Sequence, residues 1–469
     1  MTIRSLLTGG ALVAAVFASS LCHAQALRRA PAPLPTDTEI ELSKINDLNV
    51  IMQRADEWRK ANDLRRYTYA LERLVQLRPY SPNFIYGLAE AYALRDEKTK
   101  AYDTLIKIQK QGLALNPDKD PDFDKIRDKP VFKYIVDGIV VNETAWGEGE
   151  VAATIQGGPE LIESVVHDKK RNRFLAASVR TGEIVAVDGS GKTTAFASPA
   201  TTSALKSVFA LAVDEARGYL WVGTAGAPQF KDYRPVDLGT GALLKFDLAT
   251  AKLLETHKLP FTGTPRAFGS ITVASDGTVY ATDAILNVVY QVQGGNLRTL
   301  FNVPESTSLR GIAVSSDNKF LYFVDYELGL RVADLGKSEV RELKLDPHNL
   351  GGIDGLYYYQ DHLIAIQNGT VPTRVLRIAI DKTKGVLTTV QPLEANQPEM
   401  AWPTFGAVSG DAVYFIANSQ RDMYGANGLP LEGTFIEPRK IYRVNARFAW
   451  NEGGKGTQAP MIKDDKPAG

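Results

Sequence analysis

The sequence predicts a mainly β protein, a six-bladed β-propeller preceded by a small all-α domain, on three observations. From Pro159 onward one β unit recurs about six times, at roughly the spacing of a four-stranded blade. Before it lies a segment whose apolar residues recur at helical spacing. Composition agrees: 39 Gly, 24 Pro and 9% aromatic residues suit a turn-rich β chain rather than an all-helical one.

The unit is clearest at Leu309-Arg310-Gly311-Ile312-Ala313-Val314-Ser315-Ser316-Asp317, continuing through Phe320-Leu321-Tyr322-Phe323-Val324-Asp325. An inner strand passes through a tight polar turn into a second strand that ends in Asp. The same grammar stands at Gly269 to Asp283 and at Phe209 to Gly223, with further copies starting at Glu163, Asp354 and near Thr404. Third strands follow at Glu183–Val187, Leu243–Phe246, Val288–Val292, Val375–Ile378 and Lys440–Val444. A pair of β-sandwiches would not repeat at this period. The last copy is one strand short, and Val151 to Ile155 is expected to supply its outer strand and close the ring. The propeller is thus read over 138–447 and a polar, Gly-rich flexible tail over 448–469.

Residues 1–24 read as a signal peptide. Arg4 precedes an apolar run, Leu6 to Ala18, of about 13 residues, short of the roughly 20 that span a bilayer. Cys22-His23-Ala24 and Ala24-Gln25-Ala26 offer small-residue cleavage sites. An uncleaved anchor is the alternative; Cys22 as a lipidated residue is opposed by Leu21 before it. The expectation is a soluble periplasmic or secreted protein without a transmembrane segment. The single cysteine, Cys22, would leave with the signal, and disulfides and thiolate chemistry with it. Equal numbers of basic and acidic residues, 54 of each, argue against a nucleic-acid partner.

Residues 25–38, with Pro31, Pro33 and Pro35, read as a linker. In the helical domain, 39–137, Leu64, Tyr67, Leu71, Leu74 and Val75 share one face, and Leu88, Ala89, Tyr92 and Ala93 share another. Pro79 and Pro117 are helix stops about one repeat apart. Arg66 to Pro79 resembles the second helix of a tetratricopeptide repeat, which implies a possible protein partner; a pair of plain helical hairpins fits the pattern as well.

In a blade, the start of the inner strand and the end of the second strand open on one face. That places Glu163, Phe209, Gly269, Arg310, Asp354 and Thr404–Phe405 around one mouth, with Asp283, Asp325, Asn368 and Asn418 contributed by second strands. Long loops at about 225–241 and 419–438 rise over the same face, the usual description of a small-molecule site. Asp283, Asp325 and Asn368 also have an ordinary reading as turn residues.

Over residues 159–445 these openings resemble those of the senescence-marker-protein/gluconolactonase family of six-bladed propellers. There a Glu, two Asn and an Asp hold one divalent cation for lactone or ester hydrolysis. The Glu matches Glu163 in Pro159-Glu160-Leu161-Ile162-Glu163-Ser164, and the Asp matches Asp354 in Gly352-Ile353-Asp354-Gly355-Leu356. The resemblance therefore implies Glu163 and Asp354 as catalytic and metal-holding residues for a Ca²⁺-like ion. The Asn positions depart: one is Arg310, the other Phe268 or Gly269. Yellow/royal-jelly and NHL propellers share the blade grammar without the ligand set.

Two charges about 4 Å apart interact by about 4 kcal/mol at an effective dielectric near 20. A guanidinium at position 310 thus competes with a cation, and two acids are few for an ion that takes six to eight oxygens. The sequence leaves two functions open. One is a metal-dependent lactonase built on Glu163 and Asp354. The other is a non-catalytic binding or scaffold propeller, free of cofactor, in which an Arg310–carboxylate cluster replaces the metal and Asp283, Asp325, Asn368 and Asn418 line the ligand. A quinone-cofactor dehydrogenase would need a basic and histidine cluster that the sequence does not display. No His-x-x-x-His pair, P-loop or Gly-x-Ser-x-Gly elbow occurs.

Overall fold

The computed structural model describes residues 36–447, so the stretches expected to be a signal peptide (1–24) and a tail (448–469), and most of the expected linker (25–38), lie outside the described residues. Six helices come first: α1 (Asp37–Ser43), α2 (Leu48–Lys60), α3 (Leu64–Leu77), α4 (Pro82–Leu94), α5 (Lys98–Lys110) and α6 (Pro130–Asn142). Each starts or stops for a local reason. The Asp47 carboxylate accepts from the first free N–H groups of α2, and Ser81 followed by Pro82 opens α4. Successive helices from α2 pack against one another, and Tyr67, Leu71 and Leu74 of α3 meet Leu88, Ala89 and Tyr92 of α4 in one core. Among the described residues no helix is long and apolar enough to cross a membrane.

The rest is a six-bladed β-propeller of six four-stranded antiparallel sheets. Blade one runs outward through Ile162–Asp168, Arg173–Ser178, Ile184–Val187 and Thr193–Ala197. Blades two to five begin with Ser207–Asp214, Phe268–Val273, Leu309–Val314 and Ile353–Tyr359. Blade six is composite: Gly406–Ser409, Ala412–Ile416 and Lys440–Asn445 take their fourth strand from Glu150–Thr154, which precedes blade one in the chain. Closing the ring in this way protects the sheet edges. The core lies between blades, as where Tyr322 and Leu330 of blade four face Leu356 and Leu363 of blade five.

The helical domain sits on the rim of blades four and five. Tyr80, in the α3–α4 turn, packs where a side-chain carbon at Gly351 would lie 2.5 Å from it, so glycine is required for the approach. Asn349 Nδ2 donates to the Tyr80 carbonyl at 3.0 Å, and Arg78 pairs with Glu327. Arg374 Nη1 donates to the carbonyls of Gln111 and Gly112 just past α5, at 2.8 and 3.3 Å. The rim it grips belongs to the loops after second strands and before inner strands, the face on which Glu163, Arg310 and Asp354 open.

Candidate functional site

In five blades the inner strand loses register with its neighbour close to its start. The irregularities fall at Ile162/Ser164, Val208/Ala210, Phe268/Ile271, Leu309/Ile312 and Ile353/Gly355. The residues left unpaired there include Glu163, Phe209, Gly269, Arg310 and Asp354. A bulge turns a side chain out of the strand's alternation, and here it turns them to a common centre. Glu163, Phe209, Phe268, Arg310 and Phe405 line one cavity of about 280 Å³.

The electrostatics of this mouth are paired. Arg421 Nη1 lies 3.4 Å from Glu163 Oε2, and Arg310 Nε lies 3.6 Å from Asp354 Oδ1. Glu163 is 5% exposed and Asp354 is fully buried. Burial pushes the Glu163 carboxyl up, while Arg421 holds it down and Asp354 raises it further. Arg421 is raised, chiefly by Glu163. Behind Asp354 stands a relay: Tyr326 Oη donates to Asn368 Oδ1 at 2.9 Å, and Asn368 Nδ2 donates to Asp354 Oδ2 at 2.6 Å and to the Pro403 carbonyl at 2.8 Å. Burial lifts Tyr326 to about 12, so it stays a donor. At this mouth three buried polar atoms have no hydrogen-bond partner among the described residues: Glu163 Oε1, Asp354 Oδ1 and Arg310 Nε.

The other expected ligand residues lie elsewhere. Asp283 pairs with buried Arg266 at 2.9 Å and accepts from the Ile285 and Leu286 amides, bracing a turn. Asp325 accepts from Thr307 N and Oγ1 and from the Glu327 and Leu328 amides. Asn418 ties the 419–438 loop shut, donating to the Pro438 carbonyl and accepting from Lys440 N. Each carboxylate is spent on the turn that follows its strand, so neither is available at the mouth. Asn368 does join the site, through Asp354 rather than through the cavity wall.

Arg421 is the residue that sequence reasoning missed. It follows Gln420, whose φ of 54° is left-handed, and that conformation returns the chain toward the centre instead of outward with the loop. Its position after a second strand was visible in the sequence; the backbone reversal was not. The loop itself meets its counterpart above blade one, where Arg180 Nη1 donates to the carbonyls of Gln229 and Asn427.

A divalent cation does not fit this donor set. Each acid already has a guanidinium, and Asn368 presents its NH₂ to Asp354 while its oxygen accepts from Tyr326. At the second departed position, a side-chain carbon on Gly269 would lie 2.3 Å from the Leu309 carbonyl, leaving no room for a ligand side chain. Among the described residues, the acids grouped closely enough to share an ion are Glu90, Asp120 and Asp122, in the helical domain.

No protein-family model matches the chain, and no curated protein matches it. Solved structures that it resembles include a PQQ-bound aldose sugar dehydrogenase from Streptomyces coelicolor, at 14% identity over 64% of this chain and 99% of that one, TM-score 0.43. Virginiamycin B lyase from Staphylococcus aureus gives 15%, 64%, 99% and 0.44. Regucalcin, a calcium-binding protein from Agrobacterium tumefaciens, gives 17%, 64%, 96% and 0.42. At these identities the likeness is one of fold alone.

Proposed function

We propose that the protein is a ligand-binding propeller whose mouth takes a small polar molecule without a resident divalent cation. The observation that carries this reading is the pairing of both acids with arginines, each pair retaining a buried atom with no partner. Glu163 Oε1 and Asp354 Oδ1 accept, the guanidiniums donate, and Phe209, Phe268 and Phe405 supply an apolar wall. A ligand with hydroxyl or charged groups on one edge satisfies all of them, and buried polar groups without partners cost about 1–3 kcal/mol each. Export by the N-terminal apolar segment, and a protein partner for the helical domain as a repeat-like module, belong to the same reading.

The test is a thermal-shift screen of sugars, sugar acids and amino acids against the wild type and Glu163→Gln. A binder should raise the wild-type melting temperature and lose most of that effect in the variant. Equal shifts in both proteins, or none across the panel, would remove the mouth as the site. A hydrolytic reading has one observation behind it, the raised Glu163 carboxyl beside the cavity, which suits a general acid. It requires lactone or ester turnover that Glu163→Gln abolishes.

A further inference from the structure

Where the helical domain meets blade five there is a second cavity, of about 250 Å³, and its charge is one-sided. Lys110 at the end of α5, His348 and Arg374 line it, and no Asp or Glu does. Arg374 is 8% exposed and has no carboxylate partner among the described residues. Its hydrogen bonds go to Gln367 Oε1, at 2.9 and 2.6 Å, and to the Gln111 and Gly112 carbonyls, occupying at most four of its five N–H groups. Burial with nothing to offset it lowers Arg374 to about 10. Among the described residues, Lys110, exposed at the end of α5, has no ion-pair partner, and the half-buried His348 ring has no hydrogen-bond partner. Trp146, fastened to Ala395 by a reciprocal backbone pair at 2.9 Å, also lines the cavity, and its buried indole N–H has no acceptor among the described residues.

Carbonyls at the C-terminal end of α5 account for one side of Arg374. They do not account for a free lysine, an unbonded imidazole and an orphaned indole N–H on the same cavity. Arg374, Lys110 and the Trp146 indole only donate, and beside them Val141, Leu376 and Val390 form an apolar patch in a wall that also carries the polar side chains of Gln111, Asn142, Thr144 and Asn349. We propose that this interdomain cavity is a second binding site, for a small organic anion with an apolar body. The anion would accept from Arg374, Lys110 and Trp146 and fasten the helical domain to the propeller.

Calorimetric titration of the full chain with benzoate, octanoate and phenyl phosphate tests this, with benzyl alcohol and benzylamine as controls. At least one anion should bind saturably at one site per chain, and the controls should not. Each lost charge-assisted or buried hydrogen bond is worth about a tenfold change in affinity, so Lys110→Ala and Trp146→Phe should each weaken binding about tenfold. Neither change touches the Arg374 clamp, so both variants should fold. Absence of saturable binding by all three anions, or binding unchanged in both variants, would overturn the proposal. So would binding that is lost in Arg421→Ala but normal in Lys110→Ala, which would move the anion to the mouth.

Discussion

Arg421 and Glu163 are 258 positions apart in the chain, and the guanidinium and carboxylate meet at 3.4 Å on the axial face of the propeller. One comes from the loop after the second strand of the last blade, the other from the first residues of the first blade. Their meeting therefore depends on the ring being closed. It also replaces, with a side chain, the positive charge that two acids at such a mouth otherwise attract. The Arg310–Asp354 approach repeats the arrangement across the opening, leaving the four formal charges balanced.

Arg421→Ala should lower stability by about 1–3 kcal/mol, less than the full cost of breaking a buried pair because the arginine is about one-third exposed. Most of that loss should return in Arg421→Ala with Glu163→Gln, since the stranded carboxylate is then gone. A denaturant-unfolding double-mutant cycle reads the coupling; additive losses would show that the two residues do not interact.

Arg310→Asn should make calcium bind, because it removes one competing charge beside Asp354 and supplies an oxygen. A melting temperature that rises with added Ca²⁺ in the variant and not in the wild type is the expected result. Gly269→Asn should instead lower the melting temperature whatever the metal, as its side chain has no space beside the Leu309 carbonyl.

Glu394 is fully buried, accepts from the Gly149 amide at 2.8 Å and leaves its other oxygen without a partner. Burial pushes its carboxyl up to about 7. A raised carboxyl favours the folded state below its unfolded value, and that contribution is lost as pH rises through about 7. Glu394→Gln should therefore be more stable than wild type at pH 8, by on the order of 2 kcal/mol, with the difference shrinking toward pH 4.5. Urea melts across that range decide it. Glu90, pushed up to about 8 mainly by burial, acts in the same direction and stays in the variant.

Arg374→Met should uncouple the two domains. It strands the Gln111 and Gly112 carbonyls and Gln367 together, a loss of about 2–4 kcal/mol at the interface. Calorimetry should then resolve two transitions in the variant and one in the wild type; a single transition at the wild-type temperature would show that the clamp is dispensable.

Much of this architecture was legible because it rests on periodicity. Strands with an inner–turn–second order at Leu309–Asp325 and Gly269–Asp283 follow from alternation and turn residues, and the helical faces of Leu71 and Leu88 follow from a 3.6-residue period. The convergence of Glu163, Arg310 and Asp354 followed from blade geometry, since equivalent strand positions share a face. Other features were not legible. The bulges that turn these residues inward break the alternation on which the reading depended. Asp283 and Asp325 hold positions that the geometry marks for a ligand, and the turn-residue reading open to them in the sequence is the one the structure shows, their carboxylates being taken by neighbouring amides; the Arg266 partner of Asp283 was not visible there. Arg421 was hidden by a left-handed residue at Gln420, where the sequence has no glycine to announce a reversal.

The most direct measurement is elemental analysis of the purified full chain, joined to calorimetric titration of Ca²⁺ into chelator-treated protein. With Glu163 and Asp354 held by Arg421 and Arg310, metal should be well below stoichiometric, Ca²⁺ should give no saturable heat, and EDTA should leave the melting temperature unchanged. One tightly held divalent ion per chain, whose removal lowers the melting temperature, would contradict the arginine–carboxylate mouth outright.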